Sequence, residues 1–289
     1  MTSKYLRLGH FSDLHFHSFS LNPLRYFNKR FKGTLRQIFC LPEFKPNNLL
    51  YRLPNLATQL NLKNICITGD FTLTSLDKEF FLAKKFVKQL QNNDIEVTVL
   101  PGNHDCYTKE DFLNQTFYKY FPNSKLQTKK IYEKKLSKNW KLIILDCSFK
   151  NSFFTANGKI YAEQLILLDN ILKNSQNYNI VIANHYPLLP SHNKTHDLLN
   201  AEKLLSTISQ YKNVRAYIHG HTHYAEIIKI QENSLLLINS GSTSLIKNSC
   251  FHFLDLYNER IEIFLVHLEN IKEEKPLRYK IIRKSEFIF

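Results

Sequence analysis

The chain has 289 residues, 43% of them hydrophobic, and a formal charge of +14. Such a composition describes a globular protein with room for a large core, and no run approaches the roughly 20 apolar residues that a membrane-spanning helix needs. The positive excess favours an anionic partner, whether a phosphorylated substrate, an acidic membrane surface or nucleic acid, without choosing among them.

In chain order, the first apolar strand covers Tyr5–Phe11 and ends in "SDLH", which carries Asp13 and His15. No apolar leader precedes it, so a cytoplasmic protein is expected. From Leu21 to Leu53 comes a basic amphipathic insertion. Leu24, Phe27, Phe31, Leu35 and Ile38 recur at helical spacing, Arg25, Lys29, Arg30, Lys32 and Arg36 take other faces, and Gly33 weakens an uninterrupted helix. Three roles fit this segment: a cap packed on the fold, an interfacial helix that meets anionic lipid at the inner membrane surface and admits an acylated substrate, or a nucleic-acid contact.

The second strand, Asn64–Thr68, ends in "GDF" with Asp70. A helix follows, read from Phe80, Ala83, Phe86, Val87 and Leu90 behind a start signal at Ser75 to Asp77. Strand Glu96–Leu100 ends in "PGNHD", which holds Asn103, His104 and Asp105. The lysine-rich stretch Lys125 to Lys141 alternates as a hairpin with a cationic face. Strand Lys141–Asp146, helix Ala162–Leu172, strand Asn179–Asn184 with His185 after it, and helix Ala201–Tyr211 come next. Strand Val214–His219 then runs into "GHTH", with His221 and His223, and the chain closes on strands Ala225–Ile230, Ser234–Ile238, Cys250–Tyr257 and Arg260–Leu268. Strand and helix alternation followed by consecutive strands predicts sheets flanked by helices, not a purely doubly wound sheet.

Five apolar runs thus deliver Asp, Asn or His just past their carboxyl ends, the edge where α/β folds bind ligands. The residue types suit two dications held a few ångströms apart, which repel unless anionic ligands, preferably one shared carboxylate, lie between them. Asp13 and Asp70 supply that charge, and Asp70 is placed to bridge. Imidazoles and the amide oxygen of Asn103 complete a mixed nitrogen and oxygen donor set open to Mn, Fe or Zn. Gly69, Gly102 and Gly220 precede ligand candidates where tight turns are expected. Five cysteines without C-x-x-C spacing read as reduced, buried thiols. His10, His192, His196, His219, His252 and His267 fit packing or exposed positions.

The ordered blocks D-x-H, G-D, G-N-H-D, H and G-H-x-H, from Asp13 to His223, resemble those of the calcineurin-like metallophosphoesterase superfamily. The resemblance implies a four-layer α/β/β/α sandwich of two mixed sheets, with residues 1–289 as a single domain. It further implies one metal held by Asp13, His15, Asp70 and His223, and a second by Asp70, Asn103, His185 and His221. His104 would face the leaving oxygen, kept in its protonated form by a nearby carboxylate, with Asp105 orienting its ring. The implied reaction is in-line hydroxide attack on a phosphodiester or pyrophosphate. A UDP-diacylglucosamine-type lipid-linked pyrophosphate is the first expectation for the substrate, on the strength of the insertion. A cyclic nucleotide is the alternative, and a DNA nuclease or non-catalytic scaffold comes behind. His17, Arg25, Lys29 and Arg30 are the candidate substrate contacts.

Overall fold

A computed structural model describes residues 5–18, 29–31, 43–191, 193–231, 234–273 and 276–289. Its strands are β1 (Leu6–Phe11), β2 (Asn64–Ile67), β3 (Glu96–Val99), β4 (Ile131–Lys135), β5 (Trp140–Leu145), β6 (Gly158–Lys159), β7 (Asn179–Ala183), β8 (Leu198–Leu199), β9 (Val214–His219), β10 (Ala225–Ile230), β11 (Leu235–Ser240), β12 (Cys250–Leu256), β13 (Arg260–Glu269) and β14 (Arg278–Ile288). Among the helices, α1 (Arg52–Gln59), α2 (Asp77–Gln91), α3 (Ala162–Lys173) and α4 (Ala201–Ser209) bear on the packing. One six-stranded sheet has the order β14-β13-β12-β1-β2-β3 and the other β10-β11-β9-β7-β5-β4.

Period-2 alternation explains how the layers stack. In the second sheet Leu142, Ile144, Val181, Ala183, Ala216 and Ile218 join the core shared with the first sheet. Their neighbours Ile143, Leu145, Ile180, Ile182 and Tyr217 point the other way, onto Leu168, Leu172, Leu204 and Ile208 of α3 and α4. On the first sheet α1 and α2 bury Leu53, Leu56, Phe80, Ala83 and Phe86. The result is the expected four-layer sandwich of two mixed sheets.

Two local expectations change, and a third lies mostly outside the described residues. The stretch from Lys125 begins as a short helix, Ser124–Lys129, because the Asn123 side chain accepts from the Leu126 amide and Lys130 ends the turn at φ 57°. The hairpin itself is β4 with β5, and its lysines are partly paired: Lys134 with Glu96 and Lys141 with Glu133, both at 2.9 Å. Strand β14 was not expected, since its exposed lysines and arginines blur the alternation, and its ladder to β13 secures it at the sheet edge. Of the 21–53 insertion, only residues 29–31 and 43–53 are described, so its amphipathic helix and Arg25 lie outside the described residues. Cys66, Cys106, Cys147 and Cys250 are free and buried. No helix among the described residues is long and apolar enough to cross a membrane.

Candidate metal centre

Strands β1, β2 and β3 are parallel in the first sheet, as are β7 and β9 in the second. The loops after their carboxyl ends interlock through the backbone. The Asp13 amide donates to the Gly69 carbonyl (3.1 Å), that of His15 to Asp70 (2.9 Å) and that of Gly220 to His185 (3.0 Å). Five of the seven expected ligands sit in the left-handed region: Asp13 at φ 54°, His15 at 48°, Asp70 at 54°, His221 at 74° and His223 at 62°. Such backbone costs about 1–2 kcal/mol for a residue with a Cβ, so strain is concentrated in the loops that aim these side chains. Gly102 and Gly220 lie flush against the centre. A Cβ on Gly102 would overlap the Asp70 carboxylate, and one on Gly220 would overlap the side chains of Ser12 and Asp13.

Asp70 lies at the middle of the arrangement. Its Oδ2 is 3.8 Å from His15 Nε2 and 3.4 Å from His185 Nε2. On one side His223 Nε2 stands 3.2 Å from Asp13 Oδ1 and 3.1 Å from His15 Nε2. On the other, His185 Nε2 is 3.1 Å from both His221 Nδ1 and Asn103 Oδ1. Donor atoms of Asp13, His15 and His223 fall within 4.8 Å of one another, as do those of Asp70, His185 and His221, and of His15, Asp70 and His104.

Backbone carbonyls fix which nitrogen each ring presents. His185 Nδ1 lies 2.7 Å from the Thr68 carbonyl, His15 Nδ1 3.3 Å from that of Thr72, and His221 Nε2 2.9 Å from that of His196. A nitrogen facing a carbonyl carries the proton, which leaves the lone pair of the other nitrogen directed into the centre. His196, expected only to pack or face solvent, is therefore part of the support through its main chain. Phe44, missed in the sequence, closes the first side with its ring centroid 4.4 Å from that of His15.

Two buried carboxylates among imidazoles set the electrostatics. Burial opposes ionisation of Asp13 and Asp70, yet His223 and His185 beside them hold both well below the usual carboxylate range. Conversely, burial alone would lower His185, but the Asp70 carboxylate raises it to about 9, and Asp13 raises His223 in the same way. Burial and the neighbouring His185 push His221 down to about 3.

The sequence profile of the calcineurin-like phosphoesterases matches residues 6–225, a span that contains every one of these side chains. The chain belongs to the calcineurin-like phosphoesterase family. Among curated calcineurin-like relatives, the 3′,5′-cyclic adenosine monophosphate phosphodiesterase CpdA of Haemophilus influenzae is 29% identical over 164 residues, covering 55% of this chain and 54% of that protein. The 3′,5′-cyclic-nucleotide phosphodiesterase of a Nostoc species is 26% identical over 208 residues, 71% of this chain and 68% of its own length. The match to the Haemophilus protein thus spans about half of that relative's length. A solved dimetal phosphatase from Danio rerio shares the fold with a TM-score of 0.67 at 15% identity, over 95% of this chain and 98% of its own.

The side chains fit the divalent cations that the calcineurin-like family implies. Asp13 Oδ1 is buried, with His223 Nε2 at 3.2 Å and His15 Nε2 at 3.7 Å beside it, an anionic oxygen among ring nitrogens that a cation would satisfy. Ring nitrogens of His15 and His223, and of His185 and His221, face each other at 3.1 Å, contacts that need a proton or a metal between them. Mixed carboxylate, imidazole and amide donors are open to Mn, Fe or Zn.

The other expected site residues divide. The His104 ring edges His15 at 4.8 Å between centroids, and its Nδ1 lies 2.6 Å from the Leu73 carbonyl. Burial pushes its pKa down to about 4 against the opposing pull of Asp70. Asp105 does not orient that ring. Its Oδ1 accepts from the amide and hydroxyl of Thr72, and its Oδ2 from the amides of Phe71 and Gly102. It ties the Asp70 loop to the Asn103 loop. Asp105→Asn turns one acceptor into a donor facing N–H groups, and a loss of ~1–3 kcal/mol is expected by urea unfolding in chelator; an unchanged midpoint would remove this role. Arg30 is spent on structure, with its guanidinium 2.7 Å from both oxygens of buried Asp111 and bonded to the Thr74 carbonyl. Lys29 lies over the Tyr107 ring, which stacks on His104, and donates to the Thr155 carbonyl at 2.7 Å. His17 is half-buried, with Nδ1 3.4 Å from the His15 carbonyl.

Proposed function

We propose that this chain is a metal-dependent phosphodiesterase acting on 3′,5′-cyclic nucleotides. The carrying observation is the buried Asp70 carboxylate placed between two groups of donors, Asp13, His15 and His223 on one side and Asn103, His185 and His221 on the other. Divalent cations bound there would lower the pKa of a water towards neutrality and offset the charge on the phosphoryl oxygens.

The chain's own residues supply the rest. Thr68, Thr72 and His196 hold three imidazoles in the tautomers that offer lone pairs. Phe44 shields the His15 side from solvent. His104 is fixed through Nδ1 by Leu73, so its Nε2 is left to the substrate. An anionic phosphoryl group against the ring favours its charged form, which then donates at Nε2 to the leaving oxygen.

A cyclic nucleotide is favoured over the lipid-linked pyrophosphate because the curated relatives carry the names of cyclic-nucleotide phosphodiesterases. Arg30, one of the cations that suggested lipid contact, is engaged by Asp111. The deciding assay is turnover by the Mn²⁺-loaded chain of cyclic AMP, UDP-diacylglucosamine, bis(4-nitrophenyl) phosphate and single-stranded DNA. Cyclic AMP is expected to give the highest kcat/KM of the three biological substrates; a preference for UDP-diacylglucosamine would reverse the assignment.

A further inference from the structure

A groove of about 570 Å³ adjoins the candidate metal centre and shares His221 with it. One wall is the segment after β7, with Pro187, Leu189 and His196; the other is edge strand β10, with Tyr224, Glu226 and Ile228, over Leu237 of β11. The volume lies in the range of small-molecule sites. His221 spans the two spaces: its Nδ1 faces the metal centre, and its Nε2 is held by the His196 carbonyl from the groove wall.

The lining separates the parts of a ligand by charge. The chain carries +14, yet the groove is lined by one carboxylate, Glu226, and by no lysine or arginine among the described residues. A phosphate is disfavoured there and would go to the cations that the donor cluster next door would hold. What remains for the groove is the uncharged half of the substrate. An acyl chain would leave Glu226 desolvated without a partner, whereas a heteroaromatic base with an exocyclic amine pairs with it. Tyr224, between His223 and β10, is 72% exposed, a broad aromatic face at the rim. Aromatic faces in such positions stack nucleobases without regard to sequence.

We propose that this groove seats the nucleobase of the substrate, with Tyr224 as its stacking surface and Glu226 as acceptor for an exocyclic amine. The inference rests on the cyclic-nucleotide reading above, and its test separates the two. In the Mn²⁺-loaded full chain, Tyr224→Ala should lower kcat/KM for cyclic AMP about tenfold relative to the base-free methyl riboside 3′,5′-cyclic phosphate, chiefly through KM. Tyr224→Phe should restore it, because stacking needs the ring and not the hydroxyl. Adenosine binding by calorimetry should weaken about tenfold in Tyr224→Ala as well. Equal losses on both cyclic substrates, or an unchanged adenosine affinity, overturn the groove assignment. If the wild-type chain fails to cleave cyclic AMP yet binds adenosine in a Tyr224-dependent way, the groove stands and the cyclic-nucleotide reading falls.

Discussion

Asp70→Asn is expected to reduce bound metal from two ions per chain to one or fewer and to cut phosphodiesterase turnover by at least ~10³-fold, about 4 kcal/mol of transition-state stabilisation. The substitution keeps shape and removes charge at a carboxylate that stands 3.8 Å from His15 and 3.4 Å from His185. With that charge gone, two neighbouring dications have only Asp13 to offset their repulsion. Elemental analysis after dialysis reads the stoichiometry, and the metal-dependent rise in thermal midpoint should shrink with it, since ligand at 100 times its Kd adds about 2.7 kcal/mol. Two tightly held ions and near wild-type turnover in the variant would remove Asp70 from its central place.

His104→Ala is expected to lose ~10²–10⁴-fold in kcat while both ions stay bound. His104 belongs to one of the three donor groups with His15 and Asp70, so metal content decides between a ligand and a residue that serves the leaving oxygen. The ring is tethered by Leu73 and packed between His15 and Tyr107, a position that holds Nε2 steady without committing it. Leaving-group dependence sharpens the test. A 4-nitrophenolate departs without a proton and a ribose alkoxide does not, so the loss should be smaller on bis(4-nitrophenyl) phosphate than on cyclic AMP. Loss of an ion from the variant would place His104 among the ligands.

Much of this site is legible in the chain because each block has a local cause. An apolar run of four to six residues forms a strand, and the first polar residues after it fall on the sheet edge. Asp13, His15, Asp70, Asn103, His185, His221 and His223 therefore announce themselves, and the structure brings them together. Arg30 misled for the same reason: a cation in a basic amphipathic stretch looks available, and nothing local reveals that both oxygens of Asp111, 81 residues away, accept from it. Asp105 adjoins His104 in sequence but turns the other way, to the amides of Phe71, Thr72 and Gly102.

By itself, then, the sequence determined the five strands that lead into the site, their order of polar endings and the kinds of donor available, all of which follow from periodicity and side-chain chemistry. Tertiary structure alone decided how those donors are aimed. The proton that fixes His185 goes to a carbonyl 117 residues away, at Thr68, and every residue has a carbonyl, so no side chain marks the partner. Left-handed backbone at Asp13, His15, Asp70, His221 and His223 is likewise imposed by interlocking loops against local preference, and the groove beside His221 exists only where β10 and the segment after β7 come to face each other.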